Sequence, residues 1–404
     1  FHDATRRPVI VAGVRTPVGR FLGGLSSLTA PQLGGIAIRA AIARAGIDPG
    51  LVDEAYVGCV LQGGVGMAPA KQAILDGGLP ESVPATTINK VCGSGLMAVA
   101  LAARQIMLGE ASVIVAAGME SMSNAPFLTT GMRHGHKAGD ATLVDAMIHD
   151  GLWSPWERRH VGYDAEAIAE RYGATRAAQD AWALRSHQRA VAAIDSGAFA
   201  DEVVPVVLSG RRGASPRVIA VDECPRRDTS AEALAALRPA FSDPTAGVAT
   251  STVTAGNASQ LADGAAAIIL TSEAFATAHG LPILARYVAS ANASLAPEWL
   301  FEAPAPTIRR LLDRTGTNLN DYDLFELNEA YAAQMVADTH LIGWDESRVN
   351  VHGGSIALGH ALGSTGTRIL TTLVHALRRH DGHRGIAAAC LGGGEAFAVS
   401  IERP

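Results

Sequence analysis

The chain has 404 residues, 48% of them apolar, with a formal net charge of -6 and both signs interspersed. That length allows two or three domains with ample buried core, and the mild acidity leaves no basic stripe for nucleic acid and no polybasic patch for a membrane. The four cysteines, Cys59, Cys92, Cys224 and Cys390, lack the close pairing of zinc sites or small disulfide frameworks, so free thiols in a reducing compartment are expected.

FHDAT at the start lacks an initiator methionine and is set aside as a truncated start or an added remnant. After Pro8, VIVAG reads as a buried strand, short, β-branched and stopped by glycine. PQLGGIAIRAAIARAGI reads as a helix closed by Gly46, VDEAYVGCVLQ as a strand, PAKQAILDGG as a helix and ATTINKV as a strand. GSGLMAVALAARQIMLG is apolar on every face, as a buried helix must be, and SVIVAAG is a strand again. This alternation predicts an α/β layered sheet with parallel strands. No apolar segment is expected to reach the roughly 18 to 20 residues of a membrane span. With no signal-peptide pattern, and with a closing IERP unlike a peroxisomal tripeptide, the expected location is the cytoplasm.

From about Ser121 to Gly247 the texture changes to tryptophans, Arg-His clusters and one long amphipathic segment, YDAEAIAERYGATRAAQDAWALRSHQRAVAAIDSG. We read this as an inserted subdomain over the α/β core. Beyond it the plan repeats: Asp53 in VDEAYVG matches Asp323 in YDLFELN, and Gly93-Ser94 matches Gly363-Ser364, both at an offset of 323 − 53 = 363 − 93 = 270. The expected division is 1–120 and 248–274 for one half, 121–247 for the insertion and 275–404 for the second half. Cys92 and His360 would then lie in corresponding loops and meet near a pseudo-two-fold axis.

Four clusters carry groups suited to chemistry. In NKVCGSGLMAVA, Cys92 precedes the first turn of a buried helix, where unpaired amides and the helix dipole lower a thiol pKa; the plain alternative is an inert buried cysteine. In FELNEAYAAQ, Asn328 and Glu329 sit between a strand and a helix, a place that a simple helix cap also explains. In NVHGGSIALGHALGSTGTR, His360 stands among glycines before an apolar helix, while His352 reads as a structural hydrogen-bonder. The loop has neither a P-loop nor a dinucleotide fingerprint. In AAACLGGGEAFAV a strand ends at Cys390 and runs into Gly392.

Together these blocks resemble the thiolase family from about Val9 onward: VCGSGLMA, NEAYA, GGSIALGHALGSTG and CLGGG, with GVRTPVGRF, ALRSHQRA, LRPAF, TVTAGNAS and DGAAA in family order. The resemblance implies a five-layered αβαβα fold of two similar halves with an inserted loop domain. It implies an acyltransferase that cleaves 3-ketoacyl-CoA with CoA, or condenses acetyl-CoA with an acyl-CoA. Cys92 would be the nucleophile and His360 its proton acceptor. Cys390 would be the base and acid for the α-carbon, Asn328 would hold a water in an oxyanion hole with His360, and the amides of Cys92 and Gly392 would form another. His160 and Ser259 would touch the pantetheine arm, and Arg226 would lie near the adenine. No metal or cofactor is implied beyond CoA thioesters as substrates, and no nucleic acid or membrane partner; a homodimer or homotetramer is.

Several positions depart from the usual family text. Ala361 replaces proline and is expected to loosen the histidine loop. Glu395 follows CLGGG, where a carboxylate turned inward would raise the Cys390 pKa. Val161 stands where methionine is frequent, and Gln260 where glycine is usual. We expect altered acyl-chain preference with catalysis intact. Two alternatives are a ketoacyl-synthase-type condensing enzyme, against which Cys390 argues, and an inactive acyl-CoA-binding protein, for which Glu395 and Ala361 argue.

Overall fold

The computed structural model describes residues 4–210, 215–242 and 251–404. The first half runs β1 (Pro8–Arg15), α1 (Ala30–Ala45), β2 (Glu54–Gly58), α2 (Pro69–Asp76), β3 (Ala85–Ile88), α3 (Ser94–Leu108) and β4 (Val113–Ser121). The insertion contributes α4 (Gly162–Tyr172) and α5 (Arg176–Asp195), after which β5 (Ala262–Ser272) returns to the sheet. The second half runs β6 (Ala285–Ser294), α6 (Pro304–Thr315), β7 (Leu324–Leu327), α7 (Ala332–Ile342), α8 (Leu362–Arg379), β8 (Arg384–Leu391) and β9 (Glu395–Glu402). The boundary expected between positions 247 and 248 lies outside the described residues.

Local chemistry accounts for the ends of these elements. Thr29 and Gln32 form a reciprocal capping box at the start of α1, and Gly46 closes it at φ +68°. The expected strand VDEAYVGCVLQ stops at Gly58: the Cys59 amide still donates to the Ile88 carbonyl, but those of Val60 and Leu61 turn away to donate to the Glu120 carboxylate. The expected long amphipathic segment is two helices, broken where Gly173 adopts φ +63° and Thr175 caps the start of α5.

The main sheet has ten strands among the described residues, in the order β7-β8-β9-β6-β1-β5-β4-β2-β3, with the short Gly19–Arg20 strand beside β5. The all-parallel expectation fails. β2 is parallel to β3 and β4, but β5 is antiparallel to both β4 and β1. β5 re-enters after the insertion, not through a helix crossover, and an antiparallel neighbour needs no crossover.

The doubled plan is visible in this order. From the centre outward the first half reads β1-β5-β4-β2-β3 and the second β6-β9-β8-β7, with a single parallel bridge, Phe325 to Val349, where β3 has no full counterpart. The two aspartates that mark the repeat do the same work: Asp53 accepts from the amides of Ser112 and Val113, and Asp323 from those of His383 and Arg384. Each fixes the start of the parallel strand beside it.

Three apolar clusters stack the layers. One fills the space between α1, α2 and the first half of the sheet; one surrounds α3 and α8 between the halves; one packs α6 and α7 on the outer face of the second half. This is the five-layered arrangement. The central helices approach through glycine: a Cβ on Gly95 would lie 2.4 Å from the Thr367 amide nitrogen, and one on Gly366 2.4 Å from that of Leu96. One window, Val91–Leu108, is long and apolar enough to cross a membrane, with mean hydropathy 1.6, contrary to the sequence expectation. It contains α3, whose apolarity is spent between the two halves of the main sheet.

The insertion is fastened to this core by a buried charge cluster. Arg15, fully buried, donates to Glu202 at 2.6 Å and to Asp222 at 2.6 Å.

Candidate active site

Cys92 sits just ahead of α3, after Val91, which adopts φ +47°. That conformation costs a β-branched residue about 1–3 kcal/mol and is held here by local bonds. The Val91 amide donates to Asn89 Oδ1, the Lys90 amide to Ser94 Oγ, and Ser94 Oγ to the Val91 carbonyl. The α3 start has no side-chain cap; the amides of Gly93 and Ser94 donate instead to the carbonyls of Lys90 and Val91.

His360 comes from the loop before α8 and places Nε2 3.2 Å from the Cys92 sulfur. The surrounding bonds set its tautomer. Thr365 Oγ1 donates to the Ala361 carbonyl at 2.9 Å, so toward His360 Nδ1, 2.7 Å away, it accepts; Nδ1 carries the hydrogen and Nε2 presents a lone pair toward the thiol. Asn328 Nδ2 lies 3.3 Å from the same nitrogen. Its amide is oriented by Ser355 Oγ, which donates to Oδ1 at 2.6 Å while accepting from Arg368 Nη2 at 2.7 Å.

Cys390 ends β8 in the same cavity, which has a volume of about 410 Å³ and is lined also by Gly392, Ser259, Val161, Phe301 and Leu362. Its sulfur has one polar partner among the described residues, Gln334 Oε1 at 3.6 Å. Gln334 is itself held by donating to the Asn328 carbonyl and to Asp338.

Burial governs the titration of the centre. It pushes the Cys92 thiol up to about 12, against the downward pull of its own amide and that of Gly392, and with a further upward push from Glu120. It pushes His360 down to about 3, aided by the Arg368 guanidinium. Cys390 is raised well above the ordinary thiol range by burial, then by Cys92 and Asp338. The sequence expectation of a lowered Cys92 pKa is therefore overturned: the helix-end amides point the right way, but desolvation of a thiolate outweighs them. The resting pair is thiol and neutral imidazole.

Of the sequence-expected residues, Cys92, His360, Cys390, Asn328, Gly392 and Ser259 converge. Ser259 is on the cavity wall, anchored by its amide to the Ala330 carbonyl. His160 stands one residue before the wall residue Val161, with its ring stacked on Phe241 at 4.9 Å and Nδ1 accepting from the Gly162 amide. Arg226 lies elsewhere, in a second cavity of about 470 Å³ with His187, Thr229 and Leu234. Gln260 lines that second cavity and its neighbour Ser259 the first, so adjacent residues connect the two.

The helix-cap alternative for Asn328 and Glu329 fails, because α7 starts at Ala332 with Tyr331 in the cap position and no side-chain cap bond. Glu329 instead braces the histidine loop, accepting from Trp182, Ser186, Asn350 and the Ile356 amide. His352 bonds to His380 at 3.2 Å, outside the cavity, a structural contact as expected. The expected loosening at Ala361 has no counterpart: it is buried with φ −77°, inside the range a proline ring would impose, and the His360 amide is held by the Gln260 carbonyl at 2.8 Å. Gln260 reinforces that loop by donating to the carbonyls of Cys224, Ile356 and Ala357. Glu395 does not turn toward Cys390 but pairs with Lys90, and so gives no support to an inactive site.

Sequence reasoning missed Thr365, Ser355, Arg368, Gln334 and Glu120. Only Arg368, a charge inside the apolar run after the glycines, carried a signal.

The profile described as "Thiolase, N-terminal domain" matches residues 8–274, and that described as "Thiolase, C-terminal domain" matches residues 281–403. The chain is 49% identical to the acetyl-CoA acetyltransferase of Pseudomonas aeruginosa over 395 residues, covering 98% of this chain and 99% of that protein. It is 47% identical to the acetyl-CoA acetyltransferase of Cupriavidus necator, over 98% of this chain and 99% of that one. The crystal structure of the Bacillus anthracis acetyl-CoA acetyltransferase superposes with a TM-score of 0.95 at 40% identity, covering both chains fully.

Proposed function

Because this chain belongs to the thiolase family, we propose that Cys92, His360 and Cys390 carry out its acyl transfer, with Cys92 as the residue that is acylated. The enzyme is a thiolase, an acyltransferase of the thiolytic and condensing kind acting on CoA thioesters. The observation that carries the assignment of roles is the 3.2 Å contact between the Cys92 sulfur and a bare His360 Nε2 in the cavity that also holds Cys390.

In the cleavage direction the Cys92 proton passes to His360 Nε2 as the sulfur attacks the keto carbon of a 3-ketoacyl-CoA. The amides of Cys92 and Gly392, which already point at the sulfur, meet the oxyanion of the tetrahedral intermediate. Collapse breaks the bond between the α- and keto carbons, and the departing carbanion takes the Cys390 proton, releasing acetyl-CoA. Free CoA then gives its thiol proton to the Cys390 thiolate and attacks the acyl-Cys92 thioester. Cys92 leaves and recovers its proton from His360, so every group returns to its starting state. Asn328, through a bound water, and His360 stabilise the enolate oxygen.

The wall residues Val161, Leu152 and Phe301 make the acyl side apolar, consistent with an altered chain preference. The second cavity with Arg226 suits the far end of CoA, and Ser259 the pantetheine arm. A homodimer or homotetramer is supported by β3, a sheet-edge strand with partly exposed residues, and by exposed Phe127, Met132 and Leu143 in the insertion. Four free cysteines suit a reducing compartment such as the cytoplasm.

Acetoacetyl-CoA thiolysis by the wild type and by Cys92→Ala tests the assignment. The proposal expects turnover in the first and none in the second; equal rates would remove Cys92 from the mechanism.

A further inference from the structure

Cys92 and Gly392 are supplied by opposite halves of the molecule, and the piece that carries Gly392 is intrinsically loose. It is the tip of the β8–β9 hairpin, three consecutive glycines, with Gly393 at φ +93° and Gly394 at φ +84°. Glycines lose the most conformational freedom on ordering, and an oxyanion donor displaced by even an ångström loses much of its effect. The backbone ties lie at the ends of the tip, where Leu391 pairs with Glu395 across the hairpin, Glu395 with Ser294 on β6, and the Leu295 amide donates to the Gly394 carbonyl at 2.7 Å. A charged tie crosses between the halves. Glu395, the first residue of β9 and paired with Leu391 across the hairpin, bonds to the ammonium of Lys90, two residues before Cys92.

We propose that the Lys90–Glu395 ion pair is a positioning latch, holding the Gly392 amide in register with the Cys92 amide so that both meet the same oxyanion. The latch joins the two loops that supply the oxyanion donors. Lys90 and Glu395 are respectively 23% and 32% exposed, so as a stability element the pair is worth little. Its effect is on geometry, and so on the rate. The strained Val91 between Lys90 and Cys92 gives the latch something to hold, since release of the Lys90 end lets a residue at φ +47° relax and shift the Cys92 amide. Trp156 lies next to Gly393, where an added Cβ would be 3.5 Å from its ring.

The inference rests on the assignment of Cys92 and Gly392 above, and the experiment separates the two. Acetoacetyl-CoA thiolysis is measured for the wild type, Glu395→Gln, Lys90→Met, the exchanged pair Lys90→Glu with Glu395→Lys, and Cys92→Ala, each with its melting temperature. The latch predicts a fall in kcat of about tenfold in each single variant, with KM nearly unchanged and melting within a few degrees of wild type. It predicts substantial recovery in the exchanged pair, and a wild-type kcat that falls between low and high salt while that of Glu395→Gln does not. Single variants with wild-type kcat overturn the latch, as does a loss of kcat that follows melting temperature and is not recovered by exchange. Activity surviving in Cys92→Ala instead overturns the underlying assignment.

Discussion

The strands β4 and β8 hold equivalent places in the two halves, and the clamps of Asp53 on Ser112 and Val113 and of Asp323 on His383 and Arg384 set their offset at 383 − 112 = 384 − 113 = 271, so Cys390 at the end of one corresponds to Met119, and Glu120, one residue further on, to Leu391. Glu120 is saturated: its carboxylate accepts from the amides of Val60, Leu61 and Gly363, and the last of these lies at the start of α8. Cys390, in the cavity beside the start of α3, has a single long contact to Gln334. The polar group at one strand end is spent on structure, and the one at the other is left under-satisfied. A group that is to move a proton cannot already have its bonding complete, so the strand end that holds the loops together and the strand end that reacts carry different side chains at neighbouring, not identical, positions.

The largest effect should come from the under-satisfied strand end. Cys390→Ala is expected to lower the thiolysis kcat by about 10²–10⁴-fold, the usual worth of a positioned acid or base. Stability should change little, because a small buried side chain with one weak bond is replaced by a smaller one. Steady-state kinetics and urea melts together decide this; a variant that unfolds without a specific rate loss would erase the contrast.

The saturated strand end should behave in the opposite way. Glu120→Ala leaves three buried amides without partners at about 1–3 kcal/mol each, so unfolding free energy should drop by at least about 3 kcal/mol. The pH dependence sharpens this. Burial raises Glu120 from 4.5 to about 7, so its contribution is complete below pH 4.5 and is lost as pH rises through 7. His360 is lowered from 6.5 to about 3, so its contribution is complete above pH 6.5 and is lost as pH falls toward 3. Glu120→Gln should remove the loss between about pH 5 and 7.5, a slope of at most about 1.4 kcal/mol per unit, and leave the acid limb. Melts across that range that match wild type would contradict the assignment.

Smaller effects follow from the orienting groups. Ser355→Ala removes the donor to Asn328 Oδ1 and frees the amide to turn, which should lower kcat about tenfold with KM unchanged. Val161→Met should only narrow the acyl side of the cavity, shifting kcat/KM between short and longer 3-ketoacyl-CoA by a few-fold, about the worth of one or two methylenes.

Much of this is legible in the sequence because reactive groups sit at chain punctuation. Cys92, His360, Cys390 and Asn328 all lie at strand ends or helix starts beside glycine or in a turn, and the paired aspartates at 53 and 323 announce the duplication. Strand direction is not legible: the apolar run of β5 says it is buried but not from which end it enters. The titration of Cys92 misleads because a helix start is visible in sequence while the depth of burial is not. Thr365, Ser355 and Gln334 escape because small polar residues reveal their partners only in three dimensions. Glu395 stands out in the sequence as an oddity, but its true neighbour, Lys90, is 305 residues away along the chain.

The central claim is that one sulfur carries the acyl group and the other handles the carbon-bound proton. Wild type and Cys390→Ala, each incubated with acetyl-CoA, quenched and digested for peptide mass spectrometry, test it directly. The account predicts acetyl on the Cys92 peptide in both proteins, and persistence of the adduct in the variant. Acetyl on Cys390 in the wild type, or on neither cysteine of the wild type, would contradict it.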